Sequence, residues 1–227
     1  VECGVNLRCA DIITAGATMA DKITSWKYAE DFVVESTVIQ RARVRAEELG
    51  IECITASVGA QLAVLVASLQ AKSIVETGTG AGVSALWMLG ATQHTVLATI
   101  DTETEHQVAA KTAFAEAGIA SNRTRVITGK AVDVMSNMAD AAYDLVFLDA
   151  DRETIEAQLR EASRLLRPGG VAAIAHALWR DRVPDPAMRD EATSVYRDVL
   201  RFFSDNENFV SSLLPIGDGL LIASRRF

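Results

Sequence analysis

Residues 73–84 read Ser-Ile-Val-Glu-Thr-Gly-Thr-Gly-Ala-Gly-Val-Ser, and no other stretch limits the fold so tightly. A short apolar run, Ile74 and Val75, leads into an acid, Glu76. Glycines follow at alternate positions, Gly78, Gly80 and Gly82, and a helical pattern opens at Ala85, Leu86, Trp87, Met88 and Leu89. Strand, tight turn, helix is the order of a ligand-binding loop at the carboxyl end of a parallel strand. Glycine suits such a loop because the backbone must turn through positive φ and let a ligand approach closer than a Cβ permits.

Spacing discriminates between ligands. A dinucleotide fingerprint, Gly-x-Gly-x-x-Gly, would need glycine where Val83 stands. The third glycine is Gly82 instead, and Glu76 lies two residues before the first. Glu-x-Gly-x-Gly-x-Gly resembles the cofactor loop of class I S-adenosylmethionine-dependent methyltransferases. That ligand has an amino-acid tail and no pyrophosphate. A carboxylate that would repel a pyrophosphate would attract its α-ammonium group. The plain alternative is a tight turn that binds nothing.

The 227 residues suffice for one sizeable core and leave little room for a second. The expected division is a poorly defined extension at 1–20 and one domain at 21–227, with a helical cover at 21–56 and an α/β core at 57–227. A net charge of −8 disfavours nucleic acid or an anionic membrane as main partner. Cys3, Cys9 and Cys53 are unevenly spaced and form no Cys-x-x-Cys pair, which points to a reducing, cytoplasmic compartment and not to a disulfide framework or zinc site. No apolar run approaches the roughly 18 residues of a membrane span. Asp11 interrupts the small residues of 10–20, so no signal peptide is expected, and Met19 is a candidate start.

Residues 24–50 read as helical, with Trp26, Tyr28, Phe32 and Val33 as an anchoring aromatic cluster. Val38, Ile39, Ala42, Ala46 and Leu49 share one face, and Arg41, Arg43 and Arg45 form a solvated face or, less simply, a binding patch. A helix at 57–70 is apolar nearly all round and is expected to be buried against the sheet. Strands are predicted at 95–100, 125–128, 143–148 and 171–175, alternating with helices at 103–117, 131–138 and 153–166. Pro168, Gly169 and Gly170 read as a turn, and 187–203 as a last helix. Strands at 209–214 and 220–224, joined through Gly217-Asp218-Gly219, form an expected antiparallel hairpin.

Glu76, Asp101 and Asp149 all stand at predicted strand ends, where open α/β sheets bind ligands. An acid at the Asp101 position can accept both hydroxyls of a ribose. Any one of the three could be a helix N-cap; three in register beside a glycine loop read better as one ligand site. The pieces Glu76-Thr-Gly-Thr-Gly, Ser84-Ala-Leu-Trp, Tyr143-Asp-Leu-Val-Phe-Leu-Asp149-Ala-Asp151, Leu165-Leu-Arg-Pro-Gly-Gly170, Ala177-Leu-Trp179 and Leu214-Pro-Ile-Gly-Asp-Gly-Leu-Leu221 resemble, in order and spacing, the catechol / caffeoyl-CoA type O-methyltransferase family. The resemblance implies a Rossmann-like seven-stranded α/β fold, mostly parallel with one antiparallel strand near the C-terminus, plus N-terminal helices. It implies S-adenosylmethionine as cofactor, a small hydroxylated aromatic acceptor, and a homodimer. It carries the cofactor site onto Ile54, Glu76, Gly78, Thr79, Gly80, Ser84, Asp101, Ala131 and Asp149, and the substrate pocket onto Asp151, Arg152 and Trp179. Lys130 stands where the family often has an acid, so the adenine surroundings differ.

Departures from the family bear on mechanism. Typical members bind a divalent cation through an Asp at the end of the fourth strand and an Asp-Asn pair at the end of the fifth. Asp149 fits the first ligand, but the fifth-strand pair is Ala175-His176, and alanine cannot coordinate. Arg152 replaces a lysine thought to be the general base, and arginine stays protonated. No divalent metal is therefore expected to be required. Three readings follow. His176 acts as general base, with Asp149 as its catalytic companion; or Asp149, Asp151 and His176 hold a transition metal; or the chain binds cofactor as a sensor or scaffold.

Overall fold

The computed structural model describes residues 19–149 and 152–227. Cys3, Cys9 and Asp151 lie outside the described residues, as does the expected extension up to residue 18. Seven strands form one sheet: β1 (Ser73–Thr77), β2 (Val96–Asp101), β3 (Thr124–Thr128), β4 (Tyr143–Leu148), β5 (Leu166–Ile174), β6 (Phe209–Leu214) and β7 (Leu220–Arg225). Their order is β3-β2-β1-β4-β5-β7-β6. Neighbours from β3 to β5 are parallel, while β7 runs antiparallel to both β5 and β6. The single reversed strand and the terminal hairpin are as the sequence predicts.

The central strands are buried on both faces, which is why they read as unbroken apolar runs. Alternate side chains enter two separate cores. Ile74, Leu145, Phe147 and Ala173 face one; Val75, Val146, Leu148 and Ile174 face the other. The first core is covered by α2 (Thr37–Glu48), α3 (Ala56–Leu69), α4 (Val83–Gly90) and α5 (Thr104–Glu116); the second by α6 (Ala131–Met135), α7 (Ile155–Leu165) and α8 (Glu191–Ser204). In α7 the buried set Ile155, Leu159, Ala162 and Leu165 follows the helical period, so one apolar stripe meets the sheet. The sheet changes winding direction between β1 and β4, and a crevice opens there beyond the carboxyl ends of the strands.

Several expectations need correction. Residues 24–50 are two helices, α1 (Met19–Asp31) and α2, because Ser36 caps α2 by accepting from the Ile39 amide. Among the described residues Trp26, Tyr28 and Phe32 are 53%, 74% and 77% exposed and form no buried cluster. What ties α1 down is Glu30, whose carboxylate accepts from the Thr55 hydroxyl and from the Ser57 and Gly217 amides. The arginines of α2 are neither free nor a patch. Arg41 and Arg45 pair with Glu116 of α5, and Arg43 forks onto Glu35. Val64 leaves one side of α3 exposed, so that helix is buried on one face only. Pro168 to Gly170 is no turn; it lies within β5, where the register against β4 slips between Tyr143 and Leu145. The last helix begins at Glu191, capped by Asp190, and not at 187.

Candidate active site

The turn after β1 is set by backbone geometry. Gly82 has φ +85°, and a Cβ there would lie 3.2 Å from the Ala110 Cα and 3.0 Å from the Phe114 ring. Only glycine lets α4 start this close to α5. Glu76 lies beneath the turn and not in the cavity wall. It is fully buried, and its carboxylate accepts from the Ser84 hydroxyl and, at 2.6 Å, from Thr99. Burial pushes its carboxyl up to about 8, against the pull of the two hydroxyls. Its two hydroxyl bonds brace the glycine loop from below, and the cavity lining does not include Glu76, which was expected to face an α-ammonium group.

Beyond the strand ends lies a cavity of about 760 Å³. Ile54, Gly78, Thr79, Gly80, Ser84, Asp101, Ala131 and Asp149 line it, so all the expected cofactor positions except Glu76 converge there. The sheet registers produce this convergence: the Gly78 amide donates to Ile100 O, and the Asp149 amide to Thr77 O. The Asp101 carboxylate is oriented by the Gly80 amide at 3.0 Å, the Glu103 amide at 2.9 Å and His106 Nδ1 at 3.3 Å. Lys130, expected beside the adenine, also lines the cavity, and sequence reasoning missed His106 and Gln158. His106 could have been found from its place in the first turn after β2. Gln158 sits in mid-helix and had no signal.

At the ends of β4 and β5 a different constellation forms. His176 Nε2 lies 3.3 Å from Asp149 Oδ1, and Nδ1 lies 3.2 Å from Asp218 Oδ2. Asp218 was missed because it comes from the β6–β7 turn. That turn is clamped to the end of β5: Ala177 N donates to Gly219 O and Leu178 N to Asp218 O. A Cβ on Gly219 would come within 2.6 Å of the Leu178 backbone nitrogen, so the clamp requires glycine. The two carboxylates push the His176 imidazole up to about 9, the hydrogen bond to Asp149 being the main cause and burial opposing it. Burial pushes the Asp149 carboxyl up from its ordinary value, and the imidazolium pulls it back. Both contacts favour a doubly hydrogen-bonded imidazolium, a form with no lone pair to serve as the expected general base.

The donor set does not fit a divalent cation. Ala175 offers a methyl group where an oxygen ligand is needed, and the Asp149 carboxylate is engaged by His176. Among the described residues no cluster of three His, Cys, Asp or Glu side chains is arranged to hold a metal. The transition-metal alternative needs Asp151, which lies outside them.

His176, Arg152 and Trp179 do not line the large cavity. His176 borders a smaller one of about 70 Å³ that shares Glu52, Cys53 and Ile54 with it. Trp179 stacks on Tyr196 with ring centroids 5.0 Å apart, and the Arg152 and Arg180 guanidinium carbons lie 5.2 and 5.6 Å from its centroid. His176, Trp179, Arg180 and Asp181 all have positive φ, between +46° and +59°. Each such non-glycine residue costs about 1–2 kcal/mol. The backbone is held there by bonds from Trp179 N to His176 O and from Arg180 N to Asp218 Oδ1, and Arg197 ties the following loop through the Val183 and Met188 carbonyls.

This arrangement has relatives. The O-methyltransferase family model matches residues 28–226. A protein of Mycobacterium sp. (strain JLS), named as a candidate O-methyltransferase, is 45% identical over 199 residues, 87% of this chain and 90% of its own. One from Mycobacterium leprae, named likewise, is 43% identical over 212 residues, 93% of this chain and 94% of its own. Among solved structures, a Corynebacterium glutamicum protein superposes with a TM-score of 0.84 at 30% identity, covering 92% of this chain and 98% of that one. The O-methyltransferase TomG of Streptomyces achromogenes, solved with S-adenosylmethionine, shares the fold with a TM-score of 0.79 at 24% identity, over 90% of this chain and 96% of that one. A match over nearly the whole chain, with the glycine turn and strand-end acids in place, decides the matter: this chain belongs to the O-methyltransferase family.

Proposed function

We propose that the chain transfers a methyl group from S-adenosylmethionine to a hydroxyl of a small aromatic acceptor without a divalent metal. The observation that carries this reading is the imidazole of His176 held between Asp149 and Asp218 at the edge of the cofactor cavity. The cavity suits the cofactor: its floor is bare backbone at Gly78 and Gly80, and Asp101 offers oriented carboxylate oxygens for a ribose. When bound, S-adenosylmethionine supplies an electrophilic methyl group. The protein's part is to hold the acceptor in line and to manage its proton. The acceptor hydroxyl lies against the Asp149–His176 pair. Asp149, raised by burial, takes the proton; the imidazolium stabilises the oxyanion that remains. A fixed cation on the protein thus takes the place that the family resemblance gives to a metal.

The test is calorimetric titration with S-adenosylhomocysteine, with and without EDTA and with Mg²⁺ added back. Binding at micromolar concentrations, indifferent to chelation, together with methyl transfer in EDTA, is the expected result. Loss of transfer on chelation, restored by metal, would overturn the metal-free part. No binding under any condition would overturn the whole.

The exposed Trp26, Tyr28 and Phe32 of α1 support a homodimer, since large aromatics at such exposure are ordinarily covered by a partner. Light scattering should give twice the chain mass, and Trp26→Glu should lower it; a monomer at high concentration would exclude the dimer.

A further inference from the structure

We propose that the acceptor carries a carboxylate, received by Arg152 on the Trp179 platform. This rests on the methyl-transfer reading and adds the substrate class to it. Arg152 lies three residues beyond Asp149, and Trp179 three beyond His176, so the ends of the adjacent strands β4 and β5 bring both to the same end of the sheet as the acid–imidazole pair. The Arg152 guanidinium lies over the indole, 5.2 Å from its centroid. Among the described residues it has no carboxylate partner. The neighbouring Arg180, by contrast, is paired with Glu52 at 3.1 Å. Arg152 is exposed, and the residues that follow it, Glu153 and Thr154, line the cofactor cavity.

A second observation points the same way. Trp179, Arg180 and Asp181 are three successive non-glycine residues in the left-handed region. A chain seldom keeps such a run unless the surroundings enforce it, and functional sites are where that happens. Here Asp218, the same side chain that orients His176, also accepts from the Arg180 amide. One carboxylate therefore sets both the imidazole and the backbone that presents the Trp179 ring. The platform and the acid–imidazole pair are built as one unit.

The chemistry selects the ligand. Arginine presents a planar fork of N–H donors that matches the two oxygens of a carboxylate, and the indole face steadies the cation without using those donors. An aromatic acceptor with its hydroxyl at Asp149 and His176 would put an acidic substituent towards Arg152. A neutral phenol would leave that fork unused.

The probes are 3,4-dihydroxybenzoate and its methyl ester, which differ only in the anion. Methyl transfer and, in the presence of S-adenosylhomocysteine, equilibrium binding are measured for wild type, Arg152→Met and Arg152→Lys. The wild type should prefer the acid over the ester by about tenfold or more in kcat/KM, a difference of about 1.4 kcal/mol. Arg152→Met should abolish that preference, chiefly through KM for the acid, and Arg152→Lys should keep part of it. S-adenosylhomocysteine titration of each variant reports separately on the fold and the cofactor site. Equal preference for acid and ester in the wild type, an unchanged preference in Arg152→Met, or binding of neither probe to a complex that holds S-adenosylhomocysteine would each overturn the carboxylate assignment. Failure to bind S-adenosylhomocysteine would instead overturn the methyl-transfer reading beneath it.

Discussion

His176→Asn should lower turnover by about two to three orders of magnitude, the usual loss when preorganised electrostatic stabilisation of a developing oxyanion is removed, while S-adenosylhomocysteine binding should change little. The reason is geometric. Asparagine cannot span from Asp149 to Asp218, so the cation is lost and Asp149 is left buried without its partner. The pH profile separates this role from that of a base. A histidine base would lose activity below about pH 6, as its lone pair is protonated. An imidazolium raised to about 9 loses activity on the alkaline side, and the acid limb belongs to the Asp149 carboxyl.

Stability follows the same sign. The folded pKa lies above the ordinary value near 6.5, so the contribution is complete below about pH 6.5 and is lost as pH rises through about 9. It amounts to about 3 kcal/mol at most. Denaturant unfolding between pH 6 and 10 should show the decline in wild type and lack that part of it in His176→Asn. A wild-type rate that falls below pH 6 and stays level to pH 10 would restore the base role and remove the cationic one.

Gly82→Ala should cost about 2–3 kcal/mol, from the left-handed backbone and from overpacking against α5. The methyl group would meet the Ala110 Cα at 3.2 Å, and a helix backbone cannot swing aside as a side chain can. For a chain of this size that is a fall of roughly 5–10 °C in Tm. Because the shift would move the Gly78 to Gly80 backbone and its bond to Asp101, cofactor affinity should drop by about tenfold or more, a loss of about 1.4 kcal/mol or more. Gly90→Ala is the control, since a Cβ there meets nothing within 4 Å. If Gly82→Ala melted within about 1 °C of wild type and bound S-adenosylhomocysteine equally well, the turn would be more tolerant than its geometry implies.

The strands were legible because parallel strands buried on both faces leave continuous apolar runs, and because the glycine turn and the acids at 101 and 149 sit where those runs stop. Local chemistry suffices for such signals. The break at 32–36 was less legible, since a single Ser36 cap competes with an otherwise helical pattern. The exposed aromatics of α1 were misread for a related reason: composition shows what a face is made of and not what it meets. Pro168 to Gly170 carries turn residues, yet pairing with β4 on one side draws it into a strand.

The sequence by itself determined the sheet, the glycine turn and the Ala175-His176 pair at the end of β5, all of which follow from residue type at a given place along the chain. The state of His176 was decided by the tertiary structure alone. Read along the chain, it is a histidine after a strand, with an ordinary pKa and a free lone pair. Folding brings Asp149 from the neighbouring strand to one ring nitrogen and Asp218, from 42 residues further on, to the other. Two carboxylates in a partly buried setting push the imidazole of a candidate base up to about 9, because the energy of a charge depends on what surrounds it in space and not on its neighbours in sequence.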